Sequence, residues 1–207
     1  MLAHLCVTIE EMAQNRWVVT MLCGFAAGGC VRDPLPAVCP TQNVGQLVIS
    51  EVRGDQTAST DTLGQWIEIY NASTSSIDLA GLTVELKRKD GGAAATILIT
   101  RTLPIAAQGY VTLGRFADDE TRPAHIDYGY DSQVTAGLYT AGAISLLSCD
   151  TLIDRVIYDS LPRTGTYNLS PAGGAPSATA NDQATSWCTD PSGNAAGTPK
   201  GANNPCP

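Results

Sequence analysis

The sequence predicts an all-β domain built as an antiparallel β-sandwich, and three observations lead there. The chain is short of charge: 15% of its 207 residues are charged, against 43% hydrophobic, and it carries 20 glycines. That composition favours turns and strands over long solvated helices. About eight short runs rich in β-branched residues follow one another, separated by turn signals. No window of helix length keeps a 3.6-residue period without Gly or Pro. Strands without alternating helices read as two packed antiparallel sheets.

Residues 1–29 read as an address. The run from Trp17 to Gly29 is apolar and ends in small residues before Cys30. As a helix it would reach about 20 Å, short of a bilayer core of about 30 Å but suited to a signal-peptide apolar region. Glu10 and Glu11 are acidic where such a segment wants positive charge, whereas Met12-Ala-Gln-Asn-Arg16 is a basic start, so translation is expected to begin at Met12. Ala27-Gly28-Gly29-Cys30 resembles a bacterial lipobox, in which the cysteine is lipidated; ordinary cleavage near Ala27 is the alternative. Residues 30–45 hold three prolines without periodicity and read as a tether.

The domain is expected over 46–206. Its runs are Leu47–Val52, Gln65–Tyr70, Ser76–Leu79, Leu82–Lys87, Ala95–Thr100, Tyr110–Leu113, Ala143–Cys149 and Leu152–Tyr158. Lys89-Asp90-Gly91 and Cys149-Asp150-Thr151 sit where hairpin turns belong. In the second run Ile67 and Ile69 share a face, while Trp66, Glu68 and Tyr70 share the other. The isoleucine face is the expected core, with Ile49, Val84, Leu113, Leu146 and Val156 joining it. The aromatic–acidic face is expected to be half covered or open for contact. From Leu161 the chain is rich in Pro, Gly, Ala and Ser, and reads as a long loop over the sandwich anchored by Trp187.

Several segments in order are similar to the lamin-tail domain, an immunoglobulin-like sandwich. They are Leu47-Val-Ile-Ser-Glu-Val52, Gln65-Trp-Ile-Glu-Ile-Tyr-Asn71, Ile77-Asp-Leu-Ala-Gly-Leu82 and Leu103-Pro-Ile-Ala-Ala-Gln-Gly-Tyr-Val111. Ile144-Ser-Leu-Leu with Leu152-Ile-Asp-Arg-Val-Ile-Tyr158 follows, then Trp187-Cys188 and Thr198-Pro-Lys-Gly-Ala-Asn203. Lys200 is inserted relative to the family's closing motif. The resemblance spans about 47–203 and implies a secreted bacterial protein of immunoglobulin-like fold, with a binding or scaffolding role. Gly81, Pro104, Asp78 and Asp154 have structural readings: a positive φ, a sheet edge or loop entry, and two turn caps.

The candidates for chemistry are few. Glu51 and Glu68 fall on neighbouring strands, and two carboxylates about 5 Å apart in a cleft would suit a retaining glycosidase. The competing reading is a polar cross-strand ladder completed by Arg53 or Arg101. His125 stands without a nucleophile elbow near it. Asp118-Asp-Glu120 with Asp127 and Asp131 offers oxygen ligands of the kind Ca²⁺ takes, but in no calcium-loop spacing, with Arg115 and Arg122 nearby. Lys87-Arg88-Lys89 is a small basic cluster at a hairpin tip. A net charge of −8 argues against nucleic acid as the partner. No metal or cofactor is expected, and no catalysis. The small hydrolase using Glu51 and Glu68 stays as the alternative.

Of seven cysteines, Cys6 and Cys23 would leave with the signal and Cys30 would carry lipid. Cys39, Cys149, Cys188 and Cys206 remain, an even set suited to an oxidising compartment. The expected bridges are Cys149–Cys188, holding down the long loop, and Cys39–Cys206, joining the domain's ends. The competing pattern is Cys188–Cys206 with Cys39–Cys149. The expected setting is therefore a bacterial envelope, lipid-anchored at an outer membrane or cell surface, or secretion if Cys30 is not modified; the partner is a protein or a surface polymer. Replacing Cys30 with Ala is expected to release the protein from the membrane fraction, and unchanged partitioning into detergent would exclude lipidation there.

Overall fold

The structure is a computed structural model that describes residues 39–190 and 196–206. The signal segment, Cys30 and most of the tether lie outside the described residues. Twelve strands form among those described: β1 (Leu47–Arg53), β2 (Trp66–Asn71), β3 (Ile77–Asp78), β4 (Thr83–Arg88), β5 (Ala94–Leu98), β6 (Pro104–Ile105), β7 (Tyr110–Gly114), β8 (Tyr128–Gly129), β9 (Gly142–Ser148), β10 (Thr151–Tyr158), β11 (Tyr167–Leu169) and β12 (Trp187–Thr189). A four-residue helix, α1, spans Ala178–Asn181.

One sheet has the order β12-β11-β1-β2-β7-β8 and the other β10-β9-β4-β5, with β3 and β6 paired by themselves. Every pairing is antiparallel except β7 with β8. The protein is an all-β, immunoglobulin-like sandwich. All eight expected runs are strands. The inner faces bury Ile49, Ile67, Ile69, Val84, Leu113, Leu146 and Val156, each at most 1% exposed, as their alternation requires. Gly81 holds φ +84, and Asp78 caps its turn by accepting from the Ala80 amide at 3.0 Å.

Four expectations are corrected. Trp66, Glu68 and Tyr70 form no open face: their exposures are 0, 0 and 4%. Strands β1 and β2 are buried along their whole length, because segments distant in sequence cover the second side of the sheet as well as the first. Part of that cover comes from the long segment after Leu161, which is more than a wrapping loop. It adds β11 to the free edge of β1 and β12 beyond it, with Trp187 stacked on Tyr167 at 4.8 Å between ring centroids.

The disulfides follow the pattern weighed second, Cys39–Cys149 and Cys188–Cys206. The neighbouring backbone explains why. The Gly45 amide donates to the Ile153 carbonyl at 3.0 Å, so the chain enters the domain alongside β10 and beside the β9–β10 turn that carries Cys149. At the far end, Asn168 in β11 donates to the Asn204 carbonyl, and the Cys206 amide donates to Ser170 Oγ at 3.2 Å. These bonds lay the last residues along β11, whose Asn168 is in register with Cys188 of β12. The two ends of the domain therefore each meet their own local partner.

The fourth correction concerns Asp154, which does not cap a turn. Its Oδ2 reaches across to the Ile49 amide of β1 at 2.8 Å and accepts from Asn181 Nδ2 at 3.0 Å.

Ile67 packs at 0% exposure in the centre of β2, so Ile67→Ala is expected to cost about 2–4 kcal/mol in denaturant unfolding. A change of a few tenths would mean that the side chain is not packed into the core.

Candidate functional site

The strand pair β1–β2 brings Glu51 and Glu68 directly opposite each other. A β-bulge makes this so. Ladder pairs run Ile49↔Ile69 and then Glu51↔Glu68, leaving Ser50 as the extra residue of β1. The two carboxyl groups share one side of the sheet, and both residues are 0% exposed.

Each carboxyl is held by segments remote in sequence. Glu51 accepts from the Thr166 hydroxyl, from the Thr198 amide at 3.1 Å and from the Thr198 hydroxyl at 3.0 Å. Glu68 accepts from Ser50 Oγ at 2.7 Å and from the Lys200 amide at 2.7 Å. The stretch Thr198–Asn203 thus lies over the pair as a clasp. Asn203 closes it: its Nδ2 donates to the Ser50 carbonyl at 2.7 Å and the Leu169 carbonyl at 2.9 Å, and its Oδ1 accepts from the Thr198 hydroxyl at 3.1 Å.

The inserted Lys200 has a geometric role. Its backbone stands in the left-handed region, φ +68, a turn that aims its amide at Glu68. Its ammonium runs outward to Asp127 at 2.8 Å. Gly197 at φ +72 enters the same turn, and a Cβ there would lie 2.5 Å from Glu51 Oε1. The clasp therefore needs glycine at its entrance.

Burial pushes the Glu51 carboxyl above its ordinary range, opposed by the Thr166 and Thr198 donors. Glu68 is pushed well above it, by burial first and by the neighbouring Glu51 second. Two adjacent carboxyls out of water resist ionising together. Both carboxyls lie fully buried against the segments that donate to them. Neither Arg53 nor Arg101 completes the pair: Arg53 is bidentate to Asp61 at 2.8 and 3.0 Å, and Arg101 to Asp118 at 2.7 and 2.8 Å.

The other candidates are dispersed. Asp118 accepts from Arg101, from Arg122 at 2.9 Å and from the Gly129 amide at 3.0 Å. Asp119 bonds Thr121, Asp127 takes the Thr112 amide and Lys200, and Asp131 pairs with Arg115. The carboxylates of the 118–131 loop thus turn to separate partners. Among the described residues no group of three or more His, Cys, Asp or Glu could hold a metal ion. His125 Nε2 lies 3.0 Å from the Leu63 carbonyl, with the Phe116 ring edge-on to it. In the basic cluster, Arg88 pairs with Asp90 and Lys89 with Asp159. An open cavity of about 570 Å³ lies beside this hairpin tip, against Tyr139 and Thr140, and a second of about 300 Å³ lies beside Cys206. Neither is lined by Glu51 or Glu68.

The family described as Lamin Tail Domain matches residues 40–160. The chain belongs to the lamin-tail-domain family. No curated protein matches it. The family match ends before β11, so the lamin-tail region supplies both carboxylates and the segment after it supplies Thr166, Thr198, Lys200 and Asn203. Sequence reasoning found the carboxylates and set Thr198–Asn203 apart as a motif, but did not join them. Thr166 and Asn181 carried no sequence signal.

Buried and paired carboxyls give opposite pH dependences here. Asp154 is pushed up to about 7 by burial. Its folded form binds a proton more tightly than the unfolded chain does, so stability is full below pH ~4 and declines as pH rises toward ~7. Glu51 and Glu68 act in the same sense. Asp61 and Asp118 are held low by Arg53 and Arg101, so their contribution is present above pH ~4 and lost as pH falls through their folded values. Thermal unfolding is expected to show greatest stability in mildly acidic solution. Asp154→Asn should flatten the decline between about pH 4 and 7. An unchanged slope in that variant would place the proton elsewhere.

Proposed function

We propose that this lamin-tail domain is a non-catalytic binding or scaffolding module of a bacterial cell envelope. A lipid on Cys30 would anchor it to the membrane, and a protein or surface polymer would be its partner. The observation that carries the reading is the clasp over Glu51 and Glu68. This carboxylate pair spends its acceptor capacity on Thr166, Thr198, Ser50 and the Lys200 amide, inside the fold. Its work is structural. The two disulfides suit an extracellular or otherwise oxidising compartment. An immunoglobulin-like sandwich with its chemistry sealed inside offers its partners sheet faces and loops.

Co-sedimentation of the purified chain with an isolated bacterial envelope fraction tests this. The wild-type chain should pellet with the envelope. Glu51→Gln and Glu68→Gln, assayed below their unfolding temperatures, should bind as the wild type does, because neither carboxyl faces a partner. Failure of the wild type to bind would overturn the binding role. A glycan-cleaving activity abolished by either folded variant would overturn the non-catalytic reading and restore the hydrolase.

A further inference from the structure

The outer face of the β10-β9-β4-β5 sheet has a composition that its inner face does not explain. Its side chains fall in three rows across the four strands. The first row is Leu98, Thr83, Leu147 and Leu152; the second is Thr96, Glu85, Ser145 and Arg155; the third is Ala94, Lys87, Ala143 and Ile157. Three of the four exposed large hydrophobic residues of the described chain stand here, Leu98 at 45%, Leu152 at 36% and Ile157 at 59%. They stand at three corners of this array, around Leu147 and Ala143 of β9.

The middle row shows what fits it. Glu85 on β4 and Arg155 on β10 flank Ser145 on β9, one strand to each side. Arg155 Nε donates to Ser145 Oγ at 3.0 Å, which holds the guanidinium across the face. Neither Glu85 nor Arg155 takes part in an ion pair among the described residues. A two-fold axis laid parallel to the strands above β9 exchanges β4 with β10. It sets Arg155 of each copy over Glu85 of the other, so both charges are paired twice by symmetry. The same operation stacks Leu147 on Leu147 and Ala143 on Ala143, and lays Leu152 over Thr83. Ile157 meets the aliphatic stem of Lys87 from the other copy, and Leu98, on β5, lies beyond the overlap. The charged row is complementary to itself.

We propose that this face is an isologous dimer interface, whose occupant is a second copy of the chain. Sheets stack about 10 Å apart, which leaves room for these side chains to interdigitate. The three overlapping strands, about 4.8 Å apart with rows about 6.8 Å apart, make a patch of roughly 300 Å² per copy, so the dimer is a weak, transient one. On a shared membrane surface, confinement of the copies would raise its occupancy. The interface itself does not depend on the anchor.

The test uses the full chain carrying Cys6→Ala, Cys23→Ala and Cys30→Ala, so that neither lipid nor a cysteine outside the two bridges can join copies. Sedimentation velocity should show reversible dimerisation that rises with concentration, as a weak contact gives. Glu85→Arg and Arg155→Glu should each weaken it about tenfold or more, since each sets like charges against each other twice. The double variant Glu85→Arg/Arg155→Glu should restore it. In a separate pair of variants, facing Cα atoms about 10 Å apart lie beyond disulfide reach, so Ala143→Cys, on the axis, should be joined into a dimer by a short bifunctional thiol cross-linker, and Thr96→Cys, off the axis, should not. A chain monomeric at every concentration overturns the proposal. So does a dimer indifferent to the charge reversals, a double variant that fails to recover, or Thr96→Cys cross-linking as readily as Ala143→Cys. Any of these would leave the face to a different partner.

Discussion

The structure depends on satisfying the buried backbone of one strand. β1 lies inside the larger sheet, and its bulge at Ser50 interrupts the ladder just where pairing with β11 begins, at Glu51. The backbone groups before that point have no strand beside them on that edge. A buried amide or carbonyl left unpaired costs on the order of 1–3 kcal/mol, so each must find a side chain. Three distant segments provide them. Asp154 of β10 takes the Ile49 amide, Asn181 of α1 donates to the Ile49 carbonyl at 2.7 Å, and Asn203 donates to the Ser50 carbonyl. The edge of β1 is thus completed by side chains where a strand would otherwise run.

The carboxylate pair belongs to the same solution. Because the bulge puts Glu51 opposite Glu68 with both side chains on the covered side, that side carries two strong acceptors in need of donors. The closing segment supplies them from backbone amides and hydroxyls. This also explains how a stretch of Pro, Gly and Ala with almost no large apolar residue is held in place: its attachment is by directed hydrogen bonds, with Trp187 stacking on Tyr167 as its main aromatic contact. Buried polar groups that are fully matched tie a segment to one register, since any slip leaves charges or amides unsatisfied.

The disulfides reinforce both ends of this arrangement. Cys39–Cys149 spans 110 residues and Cys188–Cys206 spans 18, which in the chain-entropy description correspond to roughly 4–5 and 3 kcal/mol of stabilisation. The first ties the incoming chain to the β9–β10 turn, where Cys149 stands at φ +48. The second ties β12 to the residues that follow the clasp. Each secures one end of the described domain. That is the use small extracellular domains make of such bridges.

The eight main strands, the isoleucine core and the family were legible in the sequence, because alternation with a period of two is a local property and burial of one face follows from it. Glu51 and Glu68 were legible as neighbours for the same reason. Their meaning was not. Alternation tells which residues share a face and is silent on whether a distant segment covers it, so Trp66, Glu68 and Tyr70 read as a surface while the fold buries them. Strands of two or three residues, such as β8, β11 and β12, carry too few positions to show a period. The disulfide pairing, the reach of Asp154 to β1 and the closing of Thr198–Asn203 over the carboxylates join residues scores of positions apart. Only tertiary structure decided these, because which buried donor meets which buried acceptor is set by where the whole chain brings them, and a sequence records neighbours along the chain rather than across the core.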